Sequence, residues 1–342
     1  MTFALALACS LALSQPPAPK PVPQTQPPGR PASTAATTTT QTVPDGLRMQ
    51  VMLDRAGFSP GAIDGRTGPS TRKALAAYQK QAGDAAQEPV EPLTRYRITA
   101  EDVAGPFVET IPADLVDQAK LPHLGYRSVA EAIAERFHAT PALLQQLNRG
   151  ARFGAGEEIL VPNVEPLVVP TPEQKPQAAA GGRGREGAGR AGTPGATGTA
   201  GTTAPADVVV TVSKSSSALT VTDPSGRILM YAPVTTGSEN DPLPIGEWKV
   251  NGVSLNPTFH YNPTLFWDAD PAHSKAKIPP GPNNPVGLVW IDLSKEHYGI
   301  HGSPEPTTIG KSESHGCVRL TNWDAVKLAG MVKPGTRVVF TE

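Results

Sequence analysis

The sequence predicts a multidomain chain: a small helical unit, then an α+β unit, then a mostly-β C-terminal domain of about 136 residues. Three observations carry this. The 342 residues exceed what one domain of ordinary size uses. The 38 prolines and 33 glycines concentrate in tracts such as 16–31 and 178–203, which lack the apolar surface needed to offset chain entropy. Outside those tracts the apolar period changes from helical to strand-like along the chain. With 30 basic against 31 acidic residues, no field of one sign draws the chain to nucleic acid or to a membrane.

Residues 1–15 read as a secretory signal, because Met1 through Leu13 are apolar and small and Ala12-Leu13-Ser14 suits a small-x-small cleavage site. The run carries no leading Lys or Arg and is shorter than the ~20 residues a bilayer span needs, so no transmembrane segment is expected. Cys9 raises a lipoprotein alternative, although only a short apolar run precedes it and leucine sits one place off the usual pattern. The expectation is an exported protein of the periplasm or cell wall. After cleavage it would keep one cysteine, Cys317, in a compartment where thiols ordinarily pair. Such a thiol is either in use or packed as an inert small hydrophobe.

A Pro/Thr-rich linker over 16–43 leads to the helical unit, 44–85. Leu47, Val51, Met52 and Leu53, then Leu75 and Tyr78, recur at helical spacing around glycine turns, so two or three short helices are expected. The second unit, 93–164, has helical periodicity over 129–137 and 141–147, with Thr140 placed to cap the latter and Pro141 in its first turn. A strand over 158–162 closes it. Its partner is expected near Tyr96-Arg97-Ile98, which leaves an insertion of nearly thirty residues before the helices. Residues 165–206 are a disordered linker by composition. The last domain, 207–342, carries β-prone runs at 208–212, 218–222, 228–234, 247–253, 288–293 and 337–340. One helix is expected there, from Asn322 as its cap through Met331.

The densest set of reactive side chains lies in that domain: His301-Gly302-Ser303, then Ser314-His315-Gly316-Cys317-Val318-Arg319-Leu320. A thiol reacts as its thiolate, and with a free pKa of about 8.5 most of it is idle at neutral pH. His301 and His315 can supply a base, and Gly316 lets backbone N–H groups near Cys317 approach a substrate carbonyl as an oxyanion hole. Arg319 adds a charge that would favour the thiolate or hold a carboxylate. A zinc site built from His301, His315 and Cys317 is a rival arrangement, but His315-x-Cys317 is tighter than structural zinc spacings and no second mature cysteine is expected. Acyl chemistry needs only a thiol, a base and hydrogen-bond donors, so neither metal nor organic cofactor is expected.

Residues 301–302 and 314–320 resemble the signature of the L,D-transpeptidase catalytic domain, also called the YkuD domain. Thr236-Gly237, Pro244 to Trp248 and Asn284 to Gly287 resemble that family's loops, with Ile245 where the family more often has threonine. The resemblance implies a β-sandwich-like domain with one or two short helices. It implies Cys317 as nucleophile, His301 as base, the Gly302 carbonyl orienting His301, His315 and Gly316 shaping the oxyanion hole, and Ser314 and Arg319 in support or substrate binding. The implied reaction moves a peptidoglycan tetrapeptide stem from its terminal D-Ala to an amine, giving a 3→3 cross-link. Water, a protein or a free D-amino acid are alternative acceptors, and an inert wall-binding scaffold is the remaining alternative. The string from Gln50 to Gly65, with Gly68, Thr71, Ala74 and Tyr78-Gln79, resembles a small peptidoglycan-binding domain. Residues 128–162 resemble a LysM domain, a binder of N-acetylglucosamine-containing glycans. Two such modules imply tethering of the enzyme to its polymer. The sequence does not fix the oligomeric state.

Overall fold

The computed structural model describes residues 43–83, 90–169 and 207–342. The expected signal with Cys9, and almost all of both linkers, lie outside the described residues. Among the described residues no helix is long and apolar enough to cross a membrane.

The first unit has two helices, α1 (Asp45–Arg55) and α2 (Pro69–Ala82). One face of α1 buries Leu47, Val51 and Leu53, as its apolar spacing requires. Buried Gln50 fastens the turn between them: its Nε2 donates to Asp64 Oδ1 at 2.9 Å and its Oε1 accepts from the Gly65 N–H at 2.8 Å.

In the second unit β1 (Leu93–Arg97) pairs antiparallel with β2 (Glu158–Pro162), Leu93 opposite Pro162. Between them come α3 (Ala100–Ala104), α4 (Leu115–Gln118), α5 (Val129–Arg136) and α6 (Pro141–Leu147). Thr140 caps α6 as expected, accepting from the Leu143 N–H at 3.1 Å. The insertion between β1 and α5 is ordered and holds α3 and α4.

The third unit is one eight-stranded sheet carrying a separate hairpin and one α-helix. Its strands are β3 (Val209–Ser213), β4 (Ala218–Thr222), β5 (Ile228–Pro233), β6 (Gly246–Leu255), β9 (Val289–Leu293), β10 (Gly299–His301), β11 (Val318–Arg319) and β12 (Arg337–Thr341). The order is β11-β10-β9-β6-β12-β3-β4-β5. The ten-residue β6 joins the two halves, and its register against β9 shifts between Val250 and Gly252, a bulge of the kind that bends a sheet. The hairpin pairs β7 (Phe259–Tyr261) with β8 (Ala276–Ile278). The helix α7 (Asn322–Ala329) is capped by Thr321, whose Oγ1 accepts from the Asp324 N–H at 3.2 Å. The cap is thus one residue earlier than the sequence suggested, because the Asn322 side chain is engaged elsewhere.

The first unit covers the sheet's β5 edge. Tyr231 N–H donates to Gly57 O at 2.9 Å and Ser59 N–H to Tyr231 O at 2.8 Å, while Phe58 lies between Tyr78 and Tyr231 with ring centroids 5.4 and 6.3 Å away. An open edge strand invites foreign pairing, and these contacts close it. Leu167, at the start of the expected linker, is buried in the core of the third unit's sheet together with Val208 and Val210.

Candidate active site

Strands β10 and β11 bring the reactive residues together. They pair in parallel, Ile300 opposite Val318 and His301 opposite Arg319, so Cys317 enters β11 alongside Gly299. Sequence periodicity misses both strands, since three and two residues are too few to show a period. Gly299 is needed here because a Cβ would lie 2.5 Å from the Trp290 ring, which crosses from β9 to stack on His301 at 5.5 Å and 20°.

His301 is buried, and its Nδ1 lies 2.7 Å from Gly302 O. A carbonyl only accepts, so Nδ1 carries the proton and Nε2 is left with its lone pair. Burial first, and then the Arg319 guanidinium, push the imidazole down to about 3. It is therefore a neutral base throughout the physiological range. Gly302 is held in turn: a Cβ there would meet Asn322 Oδ1 at 2.2 Å, and that oxygen accepts from the Leu288 N–H at 3.0 Å.

Cys317 is a free thiol, partly exposed. Burial raises its pKa, the Gly299 N–H and the Arg319 charge pull it down, and Asp241 pushes it up. Its Sγ lies 3.8 Å from His297 O. With the thiol raised and the imidazole lowered, the resting pair is neutral thiol and neutral imidazole. Gly316 has φ +97°, and a Cβ there would press on the Tyr298 ring at 2.9 Å, so the turn before the thiol requires glycine. No protein acceptor among the described residues takes the Gly316 or Cys317 N–H. Ser314 Oγ donates to Cys317 O at 2.6 Å and locks the turn.

His315 is turned away from the pair. Its Nε2 lies 2.7 Å from Asp268 Oδ1 in the loop of the β7–β8 hairpin, and its ring packs on Phe266 and Trp267. His301, His315 and Cys317 do not converge as ligands, and no His/Cys/Asp/Glu group among the described residues could hold a metal. Arg319 makes no side-chain hydrogen bond or ion pair among the described residues, although burial lowers its pKa. Its half-buried guanidinium lines the cavity and leaves donors open to a ligand there.

Cys317, His301, His315 and Arg319 line one cavity of about 1210 Å³, roofed by the hairpin. Sequence reasoning missed four of its partners. Trp290, Tyr298, Asp241 and Asp268 come from separate strands and loops and meet only in the fold.

Residues 207–340 match the family described as the L,D-transpeptidase catalytic domain, and 44–84 match the putative peptidoglycan-binding domain family. A Bacillus subtilis protein named as an L,D-transpeptidase, YqjB, is 32% identical over 144 residues, 40% of this chain and 73% of that one. One named YkuD, from Bacillus licheniformis, is 52% identical over 62 residues, 18% of this chain and 38% of that one. The YkuD of Bacillus subtilis is 53% identical over 57 residues, so this chain spans only 35% of its length. Among solved structures, an L,D-transpeptidase from Mycobacterium smegmatis matches 40% of this chain and 59% of its own at 18% identity, with a TM-score of 0.33.

Proposed function

The chain belongs to the L,D-transpeptidase family, and we propose that it forms 3→3 peptidoglycan cross-links through a thioester on Cys317. The observation that carries this reading is the neutral His301 whose Nδ1–H is tied to Gly302 O, sharing a cavity with a partly exposed thiol.

A tetrapeptide stem enters with the carbonyl between the diaminopimelate L-centre and the terminal D-Ala above Sγ. As the S–C bond forms, His301 Nε2 takes the thiol proton and the carbonyl oxygen becomes an oxyanion. The free Gly316 and Cys317 N–H groups meet that charge. When the C–N bond breaks, the imidazolium gives its proton to the D-Ala amine, which leaves. An amine of a second stem then attacks the thioester, His301 removes its proton, and the thiol is restored. His301 acts as a general base at the moment of attack, since a preformed thiolate is disfavoured by burial.

Arg319 is the group for a stem carboxylate, because its donors are otherwise empty. Neutralising it would also relieve the repulsion that its charge imposes on the forming imidazolium. The role of His315 is to fix the hairpin loop through Asp268, with its backbone shaping the oxyanion turn. The unit 44–85 binds peptidoglycan, and the β1–β2 unit is LysM-like with its helices between two antiparallel strands. The protein acts outside the cytoplasmic membrane, in the periplasm or wall.

The test is intact-protein mass after incubation with tetrapeptide stems, beside Cys317→Ala. A transient adduct and a 3→3 dimer, both absent from the variant, are expected. Release of D-Ala with tripeptide alone would replace the amine acceptor by water, and no reaction would leave a wall-binding scaffold.

A further inference from the structure

We infer that the segment between β1 and α5, residues 98–128 of the second unit, is part of the active-site cleft: it braces the β7–β8 hairpin over Cys317 and walls the donor-peptide site, with Asp114 as a positioning residue. The inference rests on the acyl-transfer reading above.

Three observations support it. Leu124 is fully buried with Tyr261 of β7 and Ile278 of β8, and Leu115, Val116 and Leu121 pack on the same small core. That cluster is separate from the core of the main sheet and from the core under α5 and α6, so without the segment the hairpin would expose its apolar face. The joint is also made by backbone: Leu124 N–H donates to Pro280 O and Asn283 N–H to Leu124 O, both at 3.0 Å. Only glycine fits between, because a Cβ on Gly281 would stand 2.1 Å from Leu124 O. The loop so held continues into Pro285 and Val286, which line the cavity.

Asp114 makes the third connection. Its Oδ1 caps α4 by accepting from the Val116 N–H at 2.7 Å, and its Oδ2 lies 2.8 Å from His273 Nε2 in the hairpin loop. His273 Nδ1 is 3.1 Å from the Tyr261 hydroxyl, so cap, loop and strand form one line. Ala113, Asp114 and Leu115 themselves line the cavity that contains Cys317. An accessory unit thus sets the width of the cleft in which the stem lies, while the thiol and its base sit on the sheet below.

The test uses the full chain. Asp114→Asn keeps an acceptor for the α4 cap but loses the charge facing His273. Asp114→Asn and His273→Ala should each raise KM for a tetrapeptide stem by about tenfold with kcat within about twofold, and the double variant should be no worse than either single. Alkylation of Cys317 by iodoacetamide should keep its wild-type rate. Leu121→Ser should speed amide exchange across residues 259–278. An unchanged KM in both single variants overturns the inference, and so does a joint fall of kcat, alkylation rate and melting temperature, which would mark a structural role only. If the wild-type protein turns over no stem, the acyl-transfer reading fails. Exchange in Leu121→Ser then decides the brace separately: faster exchange keeps it and unchanged exchange removes it.

Discussion

At the scale of single residues, the reactivity of Cys317 is a balance of opposed charges. Burial and Asp241 raise the thiol, while the Gly299 N–H and Arg319 lower it. Alkylation by iodoacetamide should therefore climb with pH along one limb lying above the ordinary thiol range. Asp241→Asn removes a negative charge and should move that limb to lower pH, and Arg319→Gln should move it to higher pH. Mass-detected alkylation from acid to alkaline pH checks both signs; an Asp241→Asn limb that stayed in place would remove Asp241 from the account. His301, held at about 3, contributes no acid limb above that pH. His301→Gln should leave slow alkylation intact at high pH, where hydroxide can make the thiolate, but abolish acyl transfer near neutrality, with a loss of about 10²-fold or more.

At the scale of elements, helix α5 reaches the Gly302 turn beside His301 through one asparagine. Asn322 Nδ2 donates to Glu135 Oε1 at 2.6 Å and to Pro282 O at 3.0 Å, and its Oδ1 sits against Gly302 and Gly287. Burial raises the Glu135 carboxyl from 4.5 to about 7, with the Asn322 and Tyr126 hydrogen bonds opposing that rise. The folded protein therefore holds this proton more tightly than the unfolded chain does. The corresponding stability is present below pH 4.5 and is lost as pH rises through about 7. Asp324, raised to about 6 by burial, acts in the same direction. The melting temperature of the wild type should fall between about pH 5 and pH 8, and Glu135→Gln should flatten part of that fall. A variant profile with the wild-type slope would exclude Glu135. At the β5 edge, Phe58 is buried between two tyrosine rings. Phe58→Ala should lower stability by about 3–5 kcal/mol, read as a lower urea midpoint.

At the scale of the molecule, the three units share buried contacts. His138 of the second unit stacks on Trp323 of α7 at 5.1 Å, and its Nδ1 lies 2.9 Å from Asp54 Oδ2 of the first unit. Ser59 of the first unit donates to Asp324 Oδ2 at 2.8 Å. On the proposed reading, tethering to the polymer is then only part of the role of the accessory units. A chain cut to residues 207–342 should lose thermal stability and activity even on soluble stem peptides, where tethering is irrelevant. Turnover at the full-chain rate by that fragment would confine the other units to wall binding.

The residues of the proposed chemistry were legible in the sequence because they lie close together in the chain: His301-Gly302 and Ser314 to Leu320 display the proposed nucleophile, the proposed base and a glycine turn within twenty residues. Most of the sheet was legible too, since β3, β9 and β12 bury alternate side chains and β4, β5 and β6 are runs long enough to show β-propensity. The roles of Trp290, Asp268, Asp241, Asn322 and Asp114 were not, because each depends on what another segment brings near it, and no local pattern encodes a partner tens or hundreds of residues away. The insertion before α5 shows the difference most clearly. As sequence it interrupts the second unit's pattern. In the fold its apolar residues meet those of β7 and β8, since neither set can bury its surface alone. The sequence by itself determined which atoms can react, and the tertiary structure decided how the cleft around them is walled, through contacts that exist only once the chain has closed.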